Sequence, residues 1–149
     1  LGIDKNETIE QPTKIIIGNL KKSKKNNKLF SNNAKVIIGS RLPAKQFENL
    51  EYIEYKGKNF LEKFLKDLLA RNISSILVEG GQKTLNSFIA NNLFDELVIY
   101  TAPLFLGDGS IKTLSIKAPD SIKKSSKLKT VKVERFKDDV KTTYYNENI

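Results

Sequence analysis

The 149-residue chain contains no cysteine, histidine, methionine or tryptophan. Without thiolate or imidazole there is no disulfide framework, no zinc site of the usual ligands, no histidine general base and no cysteine nucleophile. Any metal would rest on carboxylates alone, so no metal site is expected, and no side chain is assigned a catalytic role of its own. Long apolar runs are also missing. Nothing approaches the roughly 20 residues that a membrane-spanning helix needs, and Leu1-Gly2-Ile3-Asp4 lacks the charged-then-apolar pattern of a signal peptide. A cytoplasmic location and no membrane partner are expected. Arginine is scarce too: of 26 basic residues only Arg41, Arg71 and Arg135 are arginines. Proteins that read nucleic acid lean on the guanidinium fork. The net charge of +9 therefore reads as solvated lysine, concentrated at 21–28 and 121–132 in loops or edge strands, and no nucleic-acid partner is expected.

What remains suits one globular domain over 1–149. The composition, 39% hydrophobic and 29% charged, is that of a soluble folded protein, and a chain of this length buries roughly 70% of its unfolded surface. Thr13-Lys14-Ile15-Ile16-Ile17-Gly18 is a short β-branched run that reads as a strand buried on both faces. Ala34-Lys35-Val36-Ile37-Ile38-Gly39-Ser40 repeats the form, and 51–55 is a weaker third run. Asn59 then precedes Phe60, Leu61, Phe64, Leu65, Leu68 and Leu69, a helical stripe with Glu62 in capping-box position. Asn72 supplies its stop. Ser74-Ser75-Ile76-Leu77-Val78-Glu79 reads as another buried strand, and Gly80-Gly81 opens a helix bearing Leu85, Phe88 and Ile89 on one face and closed by Asn91-Asn92.

A further strand over 94–101 runs to Pro103. Val131 and Val133, a turn at Lys137-Asp138-Asp139, then Val140, Thr142 and Tyr144 alternate with period two and predict an antiparallel hairpin. The expected fold is α/β, a doubly wound mixed sheet with helices on both faces and a C-terminal β-hairpin.

In such sheets ligands lie at the carboxyl ends of strands, where a helix's first turn offers unpaired N–H groups. Val78-Glu79-Gly80-Gly81 fits that position. Two glycines let the backbone approach a phosphate or a nicotinamide, although a Gly-Gly pair also makes a tight turn with no ligand, and neither a G-x-G-x-x-G fingerprint nor a Walker lysine motif is present.

Ile76-Leu77-Val78-Glu79-Gly80-Gly81, Leu85, Phe88-Ile89, Leu93-Phe94-Asp95-Glu96-Leu97, Ala102-Pro103 and Leu106-Gly107-Asp108-Gly109 together resemble the reductase domain of the bifunctional riboflavin-biosynthesis deaminase/reductase. That family is similar in fold to dihydrofolate reductase. The resemblance runs from about Thr13 to Tyr145. It implies a domain lacking the family's first strand and helix, and lacking the deaminase half, whose zinc site needs histidine and cysteine.

The activity implied is NADPH-dependent reduction of 5-amino-6-(5-phosphoribosylamino)uracil at the ribosyl C1′ to the ribitylamino product, chemistry that is mostly positioning. By the same resemblance Gly80 and Gly81 match the cofactor turn, and Glu79 the acidic residue facing substrate, or else a cap for the next helix. Ser40 and Arg41 stand where the adenosine 2′-phosphate is held, or form a solvated turn. Asn19 and Lys22 are placed toward the pyrimidine or ribose phosphate, or are ordinary loop residues. Gly18-Asn19-Leu20-Lys21-Lys22-Ser23 lacks the aspartate and the proline typical of the family. The resemblance also implies a homodimer through the C-terminal sheet. The alternative is a degenerate nucleotide-binding or interaction domain of the same fold, without turnover.

Overall fold

The computed structural model describes residues 12–18, 35–41, 51–55, 57, 59–116, 120–121 and 125–148. The chain forms two compact units, Leu1–Ser74 and Ser75–Ile149.

In the first unit β1 (Lys14–Ile17), β2 (Val36–Ser40) and β3 (Glu51–Glu54) form a parallel sheet in the order β1-β2-β3. Every residue of the central strand β2 is buried, whereas β1, at the edge, is only half-buried. The β-branched runs thus behave as continuous apolar strands should when one of them is flanked on both sides.

Helix α1 (Phe60–Ala70) buries Phe60, Leu61, Phe64 and Leu68, while Leu69 falls at the solvent edge of the stripe. Position 39 decides how closely the helix approaches. A Cβ on Gly39 would lie 2.8 Å from Cε2 of Phe64, so the fully buried Phe64 ring rests against strand backbone. Tyr55, just past β3, joins sheet to helix: its N–H donates to Ser40 O at 2.8 Å, and its ring meets Phe60 and Phe64 edge-on at 5.5 and 5.6 Å. Its hydroxyl donates to the Asp67 carboxylate. Burial first, and then Asp67, push the Tyr55 phenol well above its usual range.

The capping box is not formed. Asn59 takes a left-handed backbone, φ 62° and ψ 32°, without a side-chain cap, and Glu62 pairs instead with Lys66 at 2.8 Å. A side-chain cap needs extended backbone at the cap residue, which Asn59 does not have. The helix end follows expectation: Asn72 sits at φ 62°, Ile73 N–H donates to Leu68 O and Asn72 N–H to Leu69 O, a Schellman pair.

In the second unit α2 (Gln82–Ala90) ends in the same way, with Asn92 at φ 54° and Leu93 N–H bonded to Phe88 O. β4 (Glu96–Thr101), β5 (Leu128–Phe136) and β6 (Asp139–Asn146) form an antiparallel sheet in the order β4-β6-β5. The C-terminal hairpin is present, its turn reduced to Lys137-Asp138, with Asp139 already paired to Phe136 and an irregularity between Thr130 and Lys132.

Residues 74–79 correct the sequence reading. They take no ladder partner among the described residues, and Leu77 is 84% exposed. An apolar run of this length becomes a buried strand only where sheet edges accept it on both sides. The parallel and antiparallel pairings are accordingly divided between two three-stranded sheets. No helix among the described residues is long and apolar enough to cross a membrane.

Two outcomes follow from the Gly39 and Tyr55 contacts. Gly39 lies outside the left-handed region, so only the Phe64 ring opposes a side chain there. Gly39→Ala should cost about 1–3 kcal/mol by overpacking, and the cost should largely vanish in a Phe64→Leu background, read from denaturant midpoints. Because the Tyr55 phenol is raised in the folded state, its contribution is complete below the ordinary value of 10.0 and is lost as pH climbs above it, where the unfolded chain ionises first. Unfolding measured from pH 8 upward should show a shallower alkaline loss in Tyr55→Phe than in the parent.

Candidate functional site

The carboxyl end of β2 carries Ser40 and Arg41. Ser40, 2% exposed, is paired with Glu54 of β3, and its carbonyl accepts the Tyr55 N–H, so its position is fixed by the sheet. Arg41 leaves the strand into solvent, with its guanidinium carbon 5.4 Å from the Phe60 ring centroid. Arg41 meets no carboxylate among the described residues. Arg71 contrasts with it, being ion-paired to Glu51, which also lies 3.4 Å from Lys35.

In the second unit Glu79, Gly80 and Gly81 are exposed ahead of α2. The two glycines differ. A Cβ on Gly80 would stand 2.8 Å from the Thr84 Cβ, so glycine there serves the helix's own first turn. Gly81 is the N-cap residue with ordinary extended backbone, φ −70° and ψ 170°, and a Cβ there would meet nothing within 4 Å. Its carbonyl accepts Thr84 N–H at 2.9 Å and Leu85 N–H at 3.3 Å. The amides of Gln82 and Lys83, one turn earlier than any intrahelical acceptor, face outward from the helix start. No acidic residue stands in that turn, and the carboxylate nearest in sequence is Glu79, two residues before the N-cap. Glu79 makes no hydrogen bond to the turn among the described residues, and does not act as a cap. The arrangement can take an anionic or amide-bearing ligand against backbone N–H groups, with a carboxylate beside it.

Sequence reading missed two side chains of α2. Asn86 brackets Ser115, donating to its carbonyl at 3.1 Å and accepting its N–H at 3.0 Å, and Gln82 Nε2 donates to Lys112 O at 2.6 Å. These amides, four residues apart, tie down the loop after β4, which also holds the Leu106-Gly107-Asp108-Gly109 motif. Gly107 there takes φ 71°, and Ser110 bonds back to its carbonyl. Two amides at helical spacing were the available signal, but it did not say what they bind. The helical stripe marks Phe60 only as core, and no sequence pattern signals its ring's place beneath Arg41. Asn19 and Lys22 lie outside the described residues.

The family model described as the RibD C-terminal domain matches residues 2–142. The chain is 28% identical over 143 residues to riboflavin biosynthesis protein RibD of Haemophilus influenzae, covering 94% of this chain and 38% of that protein. To the protein of the same name from Aquifex aeolicus it is 38% identical over 104 residues, covering 64% and 28%. It therefore spans well under half the length of these curated relatives.

Among solved structures it is similar to a Thermotoga maritima diaminohydroxyphosphoribosylaminopyrimidine deaminase/5-amino-6-(5-phosphoribosylamino)uracil reductase, with TM-score 0.76 and 22% identity over 95% of this chain and 40% of that one. Riboflavin biosynthesis reductase Rib7 of Saccharomyces cerevisiae gives TM-score 0.65 and 19% identity over 93% and 74%. At these identities the likeness shows the fold alone, a mixed α/β arrangement. With a family model matching nearly the whole chain, and the Glu79-Gly80-Gly81 turn at the start of α2, the chain belongs to the RibD C-terminal domain family.

Proposed function

We propose that this chain is a reductase domain of riboflavin biosynthesis, reducing 5-amino-6-(5-phosphoribosylamino)uracil to its ribitylamino product with NADPH. The names of its relatives support the reaction, since they include a uracil reductase and a riboflavin biosynthesis reductase. The observation that carries the cofactor reading is Gly81. Its missing side chain leaves open space in front of helix amides that no side chain caps, which is what a dinucleotide's amide or phosphate requires. NADPH, when bound, supplies the hydride. Gly80 holds the turn tight, Gly81 leaves room for the ligand, and the Gln82 and Lys83 amides donate to it. Glu79, Asn19 and Lys22 are assigned to the phosphorylated aminopyrimidine substrate, and Ser40 and Arg41 to the adenosine 2′-phosphate. No general base is needed from the chain, because the reaction consists of aligning a hydride donor with a sugar carbon and stabilising charge.

The chain is read as one reductase-like domain over 1–149 that works in the cytoplasm as a homodimer. Val98, Ile99, Tyr100, Val133, Phe136 and Tyr145 support self-association, because they leave apolar surface exposed on the β4-β6-β5 sheet. The run at 74–79, without a strand partner among the described residues, keeps a second reading open, in which a degenerate domain of this fold binds nucleotide without turnover. NADPH oxidation by the full-length gene product with the aminopyrimidine separates the two: binding without oxidation selects the second.

Gly81→Val should leave stability within about 1 kcal/mol, the cost of a poorer cap, yet weaken NADPH binding at least about tenfold. Gly80→Ala should instead cost about 1–3 kcal/mol of stability through the Thr84 contact. Fluorescence titration with NADPH beside chemical denaturation checks both, and a stable Gly81→Val protein that binds like its parent would remove the ligand from this turn. For Arg41, a charge-assisted contact of about 1.5–3 kcal/mol predicts one to two decades of preference for NADPH over NADH. Arg41→Ala should erase most of that preference while leaving NADH affinity nearly unchanged. Equal loss for both cofactors would make Arg41 structural.

A further inference from the structure

We propose that Phe60 is a positioning residue for cofactor choice, its ring holding the Arg41 guanidinium where it can meet a phosphate monoester. This rests on the reading of Arg41 as the 2′-phosphate contact. The ring is itself held on two sides: it stacks on Phe64 at 6.1 Å with an interplanar angle of 11°, and meets Tyr55 edge-on at 5.5 Å. Phe64 is in turn fully buried against Gly39. Arg41, by contrast, is exposed, and among the described residues the Phe60 ring, 5.4 Å from its guanidinium carbon, is its partner. That distance lies within the range of cation–π attraction.

The kind of contact matters as much as its presence. A carboxylate partner takes up guanidinium N–H donors and cancels the charge, as Glu51 does for Arg71. An aromatic face does neither. It restrains a long side chain that otherwise loses its rotamer freedom on binding, and leaves both the charge and the planar fork available to an anion. A phosphate monoester, able to accept two parallel N–H bonds, suits such a fork better than a carbonyl or a hydroxyl. Phe60 therefore acts through Arg41 on the one group that distinguishes NADPH from NADH.

The test is the ratio of NADH to NADPH dissociation constants, measured on one folded protein at a time so that general weakening of the site cancels. Phe60→Leu should lower the ratio about 2- to 5-fold, the weight of an exposed cation–π contact, and should have no further effect in an Arg41→Ala background. Phe60→Tyr, which keeps the aromatic face, should retain the parent's ratio. Phe60→Met, an unbranched side chain able to fill the same space, replaces the leucine variant if that fails to fold. If Phe60→Leu or Phe60→Met leaves the ratio intact while Arg41→Ala lowers it, the positioning role is overturned and the Arg41 assignment stands. A ratio that falls as far in Phe60→Tyr as in Phe60→Leu likewise overturns it. If Arg41→Ala itself leaves the ratio unchanged, the 2′-phosphate reading fails first and takes this one with it.

Discussion

Much of the first unit depends on the absence of a side chain at position 39. β2 is buried throughout, and a phenylalanine ring laid on its backbone fixes where α1 can sit. Burial of such a ring is worth about 1.5–3 kcal/mol, enough to set the docking of a helix of eleven residues. Its geometry then propagates. Two residues along a strand advance roughly 6.6 Å and return to the same face, while four along a helix advance about 6 Å and do likewise. Phe64 on Gly39 thus brings Phe60, one helical turn earlier, level with Arg41, two residues further on. The cation–π contact is a consequence of matched repeats in an antiparallel strand and helix pair, given one glycine at the point of closest approach.

The second unit is held differently, by side-chain amides. Asn146, nearly buried in β6, donates to Asn92 Oδ1 at 2.8 Å and to the carbonyl of Phe94 at 2.9 Å, and its own Oδ1 accepts from Asn148. Asn148 reaches Lys127 O, and Asn92 reaches Asn148 O. One knot therefore joins the end of α2, the approach to β4, the approach to β5 and the end of β6. Each bond is worth only about 1 kcal/mol net, but unpaired buried amides would cost more, which favours this arrangement over its partial forms. Asn92 has two duties, since its left-handed backbone also closes the helix. Asn86 and Gln82 repeat the device toward the loop after β4.

These two modes of assembly explain which parts could be read from sequence. The β-branched runs of β1 and β2 and the stripe of α1 are signals of burial: β2 is buried throughout, α1 buries Phe60, Leu61, Phe64 and Leu68, and β1 is half-buried. The alternation of the hairpin signals strand pairing instead, since Val133 is paired in the sheet yet exposed. Asn72 and Asn92 were legible as helix ends because few residues tolerate the left-handed region. The run at 74–79 carries the same apolar signal as β2 but has no strand neighbours among the described residues, and a pattern cannot report whether a sheet edge is available. Asn59 failed as a cap for a related reason, since its residue type fits both the extended cap and the left-handed turn, and backbone context chose the latter. The amide knot left no trace because hydrogen bonds between residues more than fifty apart impose no period.

The glycine pair shows the same limit at the scale of one turn, and it bears directly on function. Side by side, Gly80 and Gly81 look like a single motif with a single purpose. Thr84 alone accounts for Gly80, because any Cβ there would collide with it whatever lies outside the helix. Nothing among the described residues packs where a Gly81 side chain would stand: its φ is ordinary, no described atom lies within 4 Å of a Cβ there, and as a helix cap it does no better than serine or asparagine would. A residue whose side chain nothing among the described residues would oppose, at a helix start with no acidic residue in its first turn, is where a requirement external to the chain can act. The cofactor reading rests on that asymmetry, and a glycine pair kept only for the turn would have needed only the first.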